Sequence, residues 1–348
     1  MLTRIIALSA LMAACWGQSW QPAAVPTTAS LRGLRVVSDR VVWASGSGGT
    51  VLRTLDGGRS WSLASVPGAE KLDFRGIWAW DAETALVMSS GKAEDGFARI
   101  YLTRDGGKHW SICFEQNTPG VFLDTIAFWD RRNGIVLSDP VDGRFLLFRT
   151  EDGGGSWRQV SIPALAEEGA FAASNSCLTL HGEKDVWFGT GGANVARVFH
   201  SSDRGRTWSV SETPMHPVNS SSGIFSLAFR DRRHGLAVGG DYAHPTGTPL
   251  PNAISTSDGG RTWQAAGAAA LYLSSVAYKP GTRQALAAGS NGIEVGLPWR
   301  HVGDLNINAA EYSPHGVAWA VGPRGTVFRE IVAIHAGRMG TSGKPSHQ

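Results

Sequence analysis

The sequence carries little charge of either sign, few cysteines and, after its first fifteen residues, no long apolar run. Of 348 residues, 32 are Lys or Arg and 29 are Asp or Glu, which leaves a formal charge of +3. So small an imbalance offers no field to draw in nucleic acid or an anionic lipid surface. No later segment reaches the roughly 18 consecutive apolar residues that a membrane-spanning helix needs. The cysteines are Cys15, Cys113 and Cys177, and they make neither a Cys-x-x-Cys pair nor a haem-attachment spacing. A Gly-x-Gly-x-x-Gly fingerprint is also absent. His244 stands in its loop without the Cys or second His that zinc spacing requires. The expected cofactors and metals are therefore none.

Long helical periodicity is scarce as well. In its place stand 44 glycines, 14 tryptophans and many short runs of β-branched and aromatic residues. Short strands joined by tight turns give that pattern, and the expected class is all-β. Residues 1–15 follow another logic. Arg4 precedes the apolar run Ile5 to Met12, which ends in Ala13 and Ala14 before Cys15. This reads as an export signal, and Leu11 to Cys15 resembles a lipobox with Met12 where leucine is preferred. The expected location is periplasmic or extracellular, with lipid tethering through Cys15 and simple cleavage as the alternatives.

One motif recurs five times, at Thr54 to Trp61, Thr103 to Trp110, Thr150 to Trp157, Ser201 to Trp208 and Thr256 to Trp263. Its acids are Asp56, Asp105, Asp152, Asp203 and Asp258, and its indoles are Trp61, Trp110, Trp157, Trp208 and Trp263. A period near 50 residues with four short strands per unit is the mark of a propeller blade. The carboxylate can accept hydrogen bonds from turn amides and the Ser/Thr hydroxyl, the glycines permit positive φ, and the indole wedges against a neighbouring sheet. The second copy places His109 where Ser/Thr is usual, and the fourth has Arg204 after its acid.

Two further units lack the motif, at Ala285 to Gly289 and Ala318 to Gly322, and bring the count to seven. Gly296 to Trp299 keeps a tryptophan and loses the acid. No fourth strand follows Gly325 to Arg329, while Ser19 to Pro26 parallels Ser60 to Pro67. The expectation is a single propeller over 18–335, closed by an N-terminal strand that completes the last blade. Residues 336–348 are expected to be a disordered tail. Cys113 and Cys177 fall on non-neighbouring blades, so no disulfide between them is expected.

The repeated turn resembles the Asp box, or bacterial neuraminidase repeat, which in that family joins the third and fourth strands of a blade. The Asp-Gly-Gly-Arg/Lys-x-Trp form, with Phe74-Arg75-Gly76-Ile77 opening a blade, resembles the photosystem II stability and assembly factor family in its non-photosynthetic bacterial relatives. Such relatives sometimes carry an oxidoreductase label, for which this sequence holds no motif. That resemblance implies a non-enzymatic, monomeric scaffold for a protein partner, of the envelope or the membrane. The alternative is carbohydrate binding or glycoside hydrolysis, as in the sialidases, but the Arg-Ile-Pro segment is missing and only five tyrosines are present.

If the boxed turns occupy one rim, the variable loops occupy the other, and function in repeat scaffolds resides in such loops. Asp124, Asp139, Asp142, Arg144, Asp241 and Tyr242 are therefore expected to converge on the channel mouth as a polar pocket. The competing reading is that these acids cap their own turns. Asp73, Arg75, Glu167, Glu168, Asn175 and the run Ser220 to Gly223 lie in neighbouring loops.

Overall fold

The computed structural model describes residues 19–247, 251–267 and 271–331. The leader with Cys15 and the tail at 336–348 lie outside them, as do Thr248 and Pro249 of the blade-five loop.

Seven antiparallel sheets of four strands follow one another, in sequence order 31–63, 74–116, 123–163, 178–212, 222–265, 275–303 and 309–331 with 19–22. The one helical element among the described residues is a 3-10 turn at Ala93–Asp95. The second strand of a blade is apolar on both faces: Val42–Gly46, Ala85–Ser89, Asp185–Gly189 and Ala285–Gly289 are buried throughout. A strand covered on both sides must sit inside a stack of sheets, and the core has that form. Seven apolar clusters lie one at each seam between successive blades. Trp43 meets Phe74 and Ile77 between blades one and two, and Trp187 meets Ile224 and Phe229 between four and five. Leu31 and Leu52 meet Trp319 and Val327 where blade seven returns to blade one.

The ring closes as expected. Ser19–Pro22 pairs antiparallel with Val327–Ile331, Trp20 lying opposite Glu330 and Gln21 opposite Arg329. Trp20 packs on the seam between blades six and seven, while Ala23 and Val25 pack on the seam between seven and one.

The five repeated turns each join the third strand of a blade to the fourth. At the first, Asp56 Oδ1 accepts from the Thr54 hydroxyl (2.9 Å) and the Ser60 amide (3.0 Å), and Oδ2 accepts from the Ser60 hydroxyl (2.6 Å). The Thr54 oxygen in turn accepts from the Gly58 amide (2.9 Å). Gly58 needs its φ of +86°, and a side chain there would also strike Trp319. The two irregular copies keep the network by different means. His109 sets Nδ1 2.6 Å from Asp105 Oδ2 in place of the hydroxyl. Arg204 adopts φ +63° where its counterparts are glycine, and its Nε donates to the Glu183 carbonyl (2.7 Å). In blade six Gly296 to Trp299 occupies the same junction without an acid.

Two outcomes follow from this packing. Deleting residues 19–27 strips Trp20, Ala23 and Val25 from two seams and bares a sheet edge, so the melting temperature should fall by about 5–10 °C; an unchanged calorimetric transition would refute the closure. At Asp258, burial alone would raise the pKa, but hydrogen bonds from the Thr262 hydroxyl and amide, the Thr256 hydroxyl and the Arg261 amide hold it down at about 2. The unfolded value is near 3.9, so this stabilisation is complete above pH 4 and is lost as pH falls through about 2. Asp258→Asn should therefore melt a few degrees below wild type at pH 7, and the gap should narrow towards pH 2 in paired thermal scans.

Candidate functional site

Alternating strand direction places the repeated turns on one rim, together with the turns that join first to second strands. The links between blades and the turns after second strands occupy the opposite rim, and a cavity of about 590 Å³ opens there at the mouth of the central channel.

A backbone device repeated in four blades supplies much of its wall. The first strands of blades one, two, three and five each skip one residue in their pairing with the second strand. Leu31 pairs with Gly46 and Gly33 with Ser45, so Arg32 is left over. Arg75, Asp124 and Phe225 are left over in the same way. A bulge re-aims the unpaired residue, and all four of these line the cavity. Phe171 and Phe225 stack with centroids 3.8 Å apart, Tyr272 meets Phe225 edge-on at 4.8 Å, and Tyr242 does so at 6.1 Å. Going round the mouth, the wall is basic at blades one and two, acidic at blade three and aromatic from blade four to six.

The acidic sector is electrostatically unusual. Asp124 is wholly buried, and neither carboxyl oxygen has a hydrogen-bond partner. Burial, reinforced by the nearby Asp139 charge and only partly opposed by Arg75, raises its pKa well above the ordinary range. Asp139 is pushed up to about 6 by burial, against one hydrogen bond accepted by Oδ1 from the Ala170 amide (2.9 Å). The basic sector is partly committed: Arg75 Nε donates to Asp73 at 2.8 Å, and its guanidinium lies 5.9 Å from the Phe122 ring centre. Arg32 makes a 3.5 Å contact to the Ala173 carbonyl, and its pKa is lowered by burial and by Arg75.

The cavity has a floor. The segment Ser174 to Ser176 reaches into the channel from blade four and bonds to its neighbours all round. Asn175, at φ +59°, accepts from the Ile126 amide (2.9 Å) and donates to the carbonyls of Ile77 (3.1 Å) and Ile126 (3.2 Å). The Ser174 hydroxyl donates to the Ser274 carbonyl (2.6 Å), and Ser176 lies 2.7 Å from the Ser226 hydroxyl. Below this plug, a separate cavity of about 270 Å³ opens to the rim of repeated turns, where Arg35 lies over Trp78 and bonds Glu311.

Three of the six expected residues come together here: Asp124, Asp139 and Tyr242 line the mouth. The other three do not, which corrects the expectation. Asp142 and Gly143, both at positive φ, form the two-residue tip of the hairpin between Gly134–Val141 and Arg144–Thr150. Neither tip residue lines the cavity, and Arg144 bends back to the Ser161 hydroxyl and carbonyl of its own sheet. Asp241 is engaged by its own loop, accepting from Ser221, Asn219, the Ala243 amide and His244. Although burial opposes it, this set of donors holds Asp241 well below the ordinary carboxylate range.

No protein-family model matches the chain, and no curated protein does. Among solved structures, one described as YCF48 bound to D1 peptide superposes over 90% of this chain and 97% of its own, with a TM-score of 0.63 and 14% identity. The chain has the fold of YCF48. A second, YCF48 from Cyanidioschyzon merolae, covers 89% of this chain and 98% of its own at a TM-score of 0.47 and 14% identity. The likeness to YCF48 is one of fold, a seven-bladed propeller as the repeats imply.

Within this YCF48-like fold, the residues missed from sequence are Arg32, Phe122, Phe171, Phe225, Tyr272 and Asn308. A signal for two of them was present. Leu31-Arg32-Gly33-Leu34, Phe74-Arg75-Gly76-Ile77, Leu123-Asp124-Thr125-Ile126 and Ile224-Phe225-Ser226-Leu227 share one register, an odd residue between an apolar and a small one. Because Asp124 has a folded pKa above its unfolded value, its carboxyl destabilises the fold increasingly as pH rises above about 4. Asp124→Asn should thus raise the melting temperature by a few degrees at pH 8 and by less at pH 4; a lower melting temperature at pH 8 would mean that the carboxylate has a partner.

Proposed function

We propose that this chain is an exported, monomeric and non-enzymatic propeller that binds a segment of a protein partner, an envelope or membrane protein, at the mouth of its central channel. The observation that carries the reading is the mouth itself. Four bulged strands turn unlike side chains onto one blind cavity, on the rim that the repeated turns leave free. Its size, at about 590 Å³, suits a few residues of extended chain rather than a folded domain. The similarity to a YCF48 that carries a bound peptide lies in the same direction.

Two features weigh against a glycosidase. Leu123 pairs with Ser138, so Asp124 and Asp139 come from adjacent strands of one blade and stand on the same side of the cavity. Acids that cleave a glycoside must flank it. The tyrosine at the mouth that is buried, Tyr272, has its pKa raised by that burial, the opposite of what a nucleophile requires.

A photo-cross-linking residue at Tyr242, which is exposed on the mouth, should yield a discrete protein adduct in the native envelope. The same residue at Arg59, exposed on the opposite rim, should yield none. Adducts from Arg59 alone, or from neither position, would overturn the reading.

A further inference from the structure

We propose that the mouth cavity receives one basic side chain, a lysine or arginine of the bound segment, seated on the Asp124 and Asp139 carboxylates beside the ring wall of Phe171, Phe225, Tyr242 and Tyr272. This rests on the mouth being the peptide site.

Asp124 is the exception among the buried acids. Glu168 accepts from Arg197, from the Thr190 hydroxyl and from the Leu165 amide. Asp185 faces Arg232 and His200, Glu311 accepts from Arg35 and the Val36 amide, and Glu294 lies against His301. Asp124 alone of these lines the mouth cavity and has no donor for either of its buried oxygens. A buried acceptor left open costs free energy in the empty protein, and such groups persist where a ligand completes them. The missing partner must bring N–H or O–H donors. The guanidinium most closely tied to this sector, that of Arg75, is already bonded to Asp73.

Charge decides which donor. The side chains facing Asp124 are Asp139 from its own blade, Arg75 and Asp73 from blade two, Arg32 from blade one and Cys177 from blade four, with Tyr242 and Tyr272 across the cavity. An incoming anion would meet three acids against two arginines, one of them neutralised. With Arg75 paired to Asp73, a cation meets two acids against the one remaining arginine, Arg32, and a wall of ring faces, which attract ammonium and guanidinium groups. A proton and the basic group compete for the same carboxylates. Binding should accordingly strengthen as pH rises through about 6, where Asp139 gives up its proton.

The test uses the full chain and four small probes followed by ligand-detected NMR: Nα-acetyl-lysine amide, its norleucine and glutamate counterparts, and methyl galactoside. The lysine probe should bind at least about tenfold more tightly than the norleucine one at pH 7.5 and lose most of that advantage at pH 5. Asp124→Asn should abolish the preference while the melting transition stays intact, and Asp139→Asn supplies the same readout if the first variant fails to fold. Equal or tighter binding of the norleucine, glutamate or galactoside probe would overturn the proposal, as would a lysine preference that survives both substitutions. If the preference is absent while Tyr242 still cross-links to a protein, the basic-group assignment alone fails. If Tyr242 captures nothing, the peptide site fails with it.

Discussion

Each blade of this protein is apolar on both faces, so no blade can stand at the end of a row. A sheet of that kind is stable only between two others, and a finite stack meets the condition only by curving into a ring. The seven seam clusters are the outcome: the largest buried side chains, Trp43, Trp187 and Trp319, pack between blades rather than within one. Stability is thereby shared round the circle, and the weakest point is where the chain's two ends meet. There the last blade would show a bare third strand, an invitation to pair with another molecule. Four residues, Ser19–Pro22, cover that edge, and the two seams beside it gain Trp20, Ala23 and Val25.

A ring of antiparallel sheets has two rims, and the sequence uses them for different ends. On one, five carboxylates gather hydroxyl and amide donors into the same compact turn, and the side chains that could recognise anything are consumed in doing so. Replacing the hydroxyl by His109, or a glycine by Arg204, leaves the turn's geometry in place because the carboxylate remains the acceptor at its centre. On the other rim the links are free to differ. The variation that matters is not in the longest loops but in the bulges of the innermost strands, where one extra residue in each of four blades is turned onto the axis.

This explains what could be read from the residues and what could not. Blade number followed from spacing, because the acid-and-indole turn is local and its chemistry is complete within eight residues. Closure followed because Ser19 to Pro26 copies the sequence of a true fourth strand. The mouth was only half legible. Asp124, Asp139 and Tyr242 were found by their loops, but Asp142, Arg144 and Asp241 were grouped with them on the same grounds. Whether an acid in a loop faces the axis or its own turn depends on amides that only the folded backbone brings near, as Asp241 shows. Arg32 and Phe225 escaped because a bulge leaves almost no trace in an apolar strand: one residue out of phase, with Gly33 or Ser226 beside it.

The plug at Ser174 to Ser176 gives the asymmetry of the rims its functional meaning. An open channel would let a ligand be gripped from either side, and the two cavities would act as one site. Here Asn175 ties blade four to blades two and three across the axis, and Ser174 and Ser176 reach blades six and five, so the barrier is held from most of the ring. Whatever enters the larger cavity must leave by the way it came. Recognition then depends on the few side chains of one blind chamber, and an unpaired Asp124 is tolerable in such a place. The walls keep bulk water from its oxygens, and the stacked rings of Phe171 and Phe225 offer no donor. Burial therefore favours the neutral form of the carboxyl over its ion.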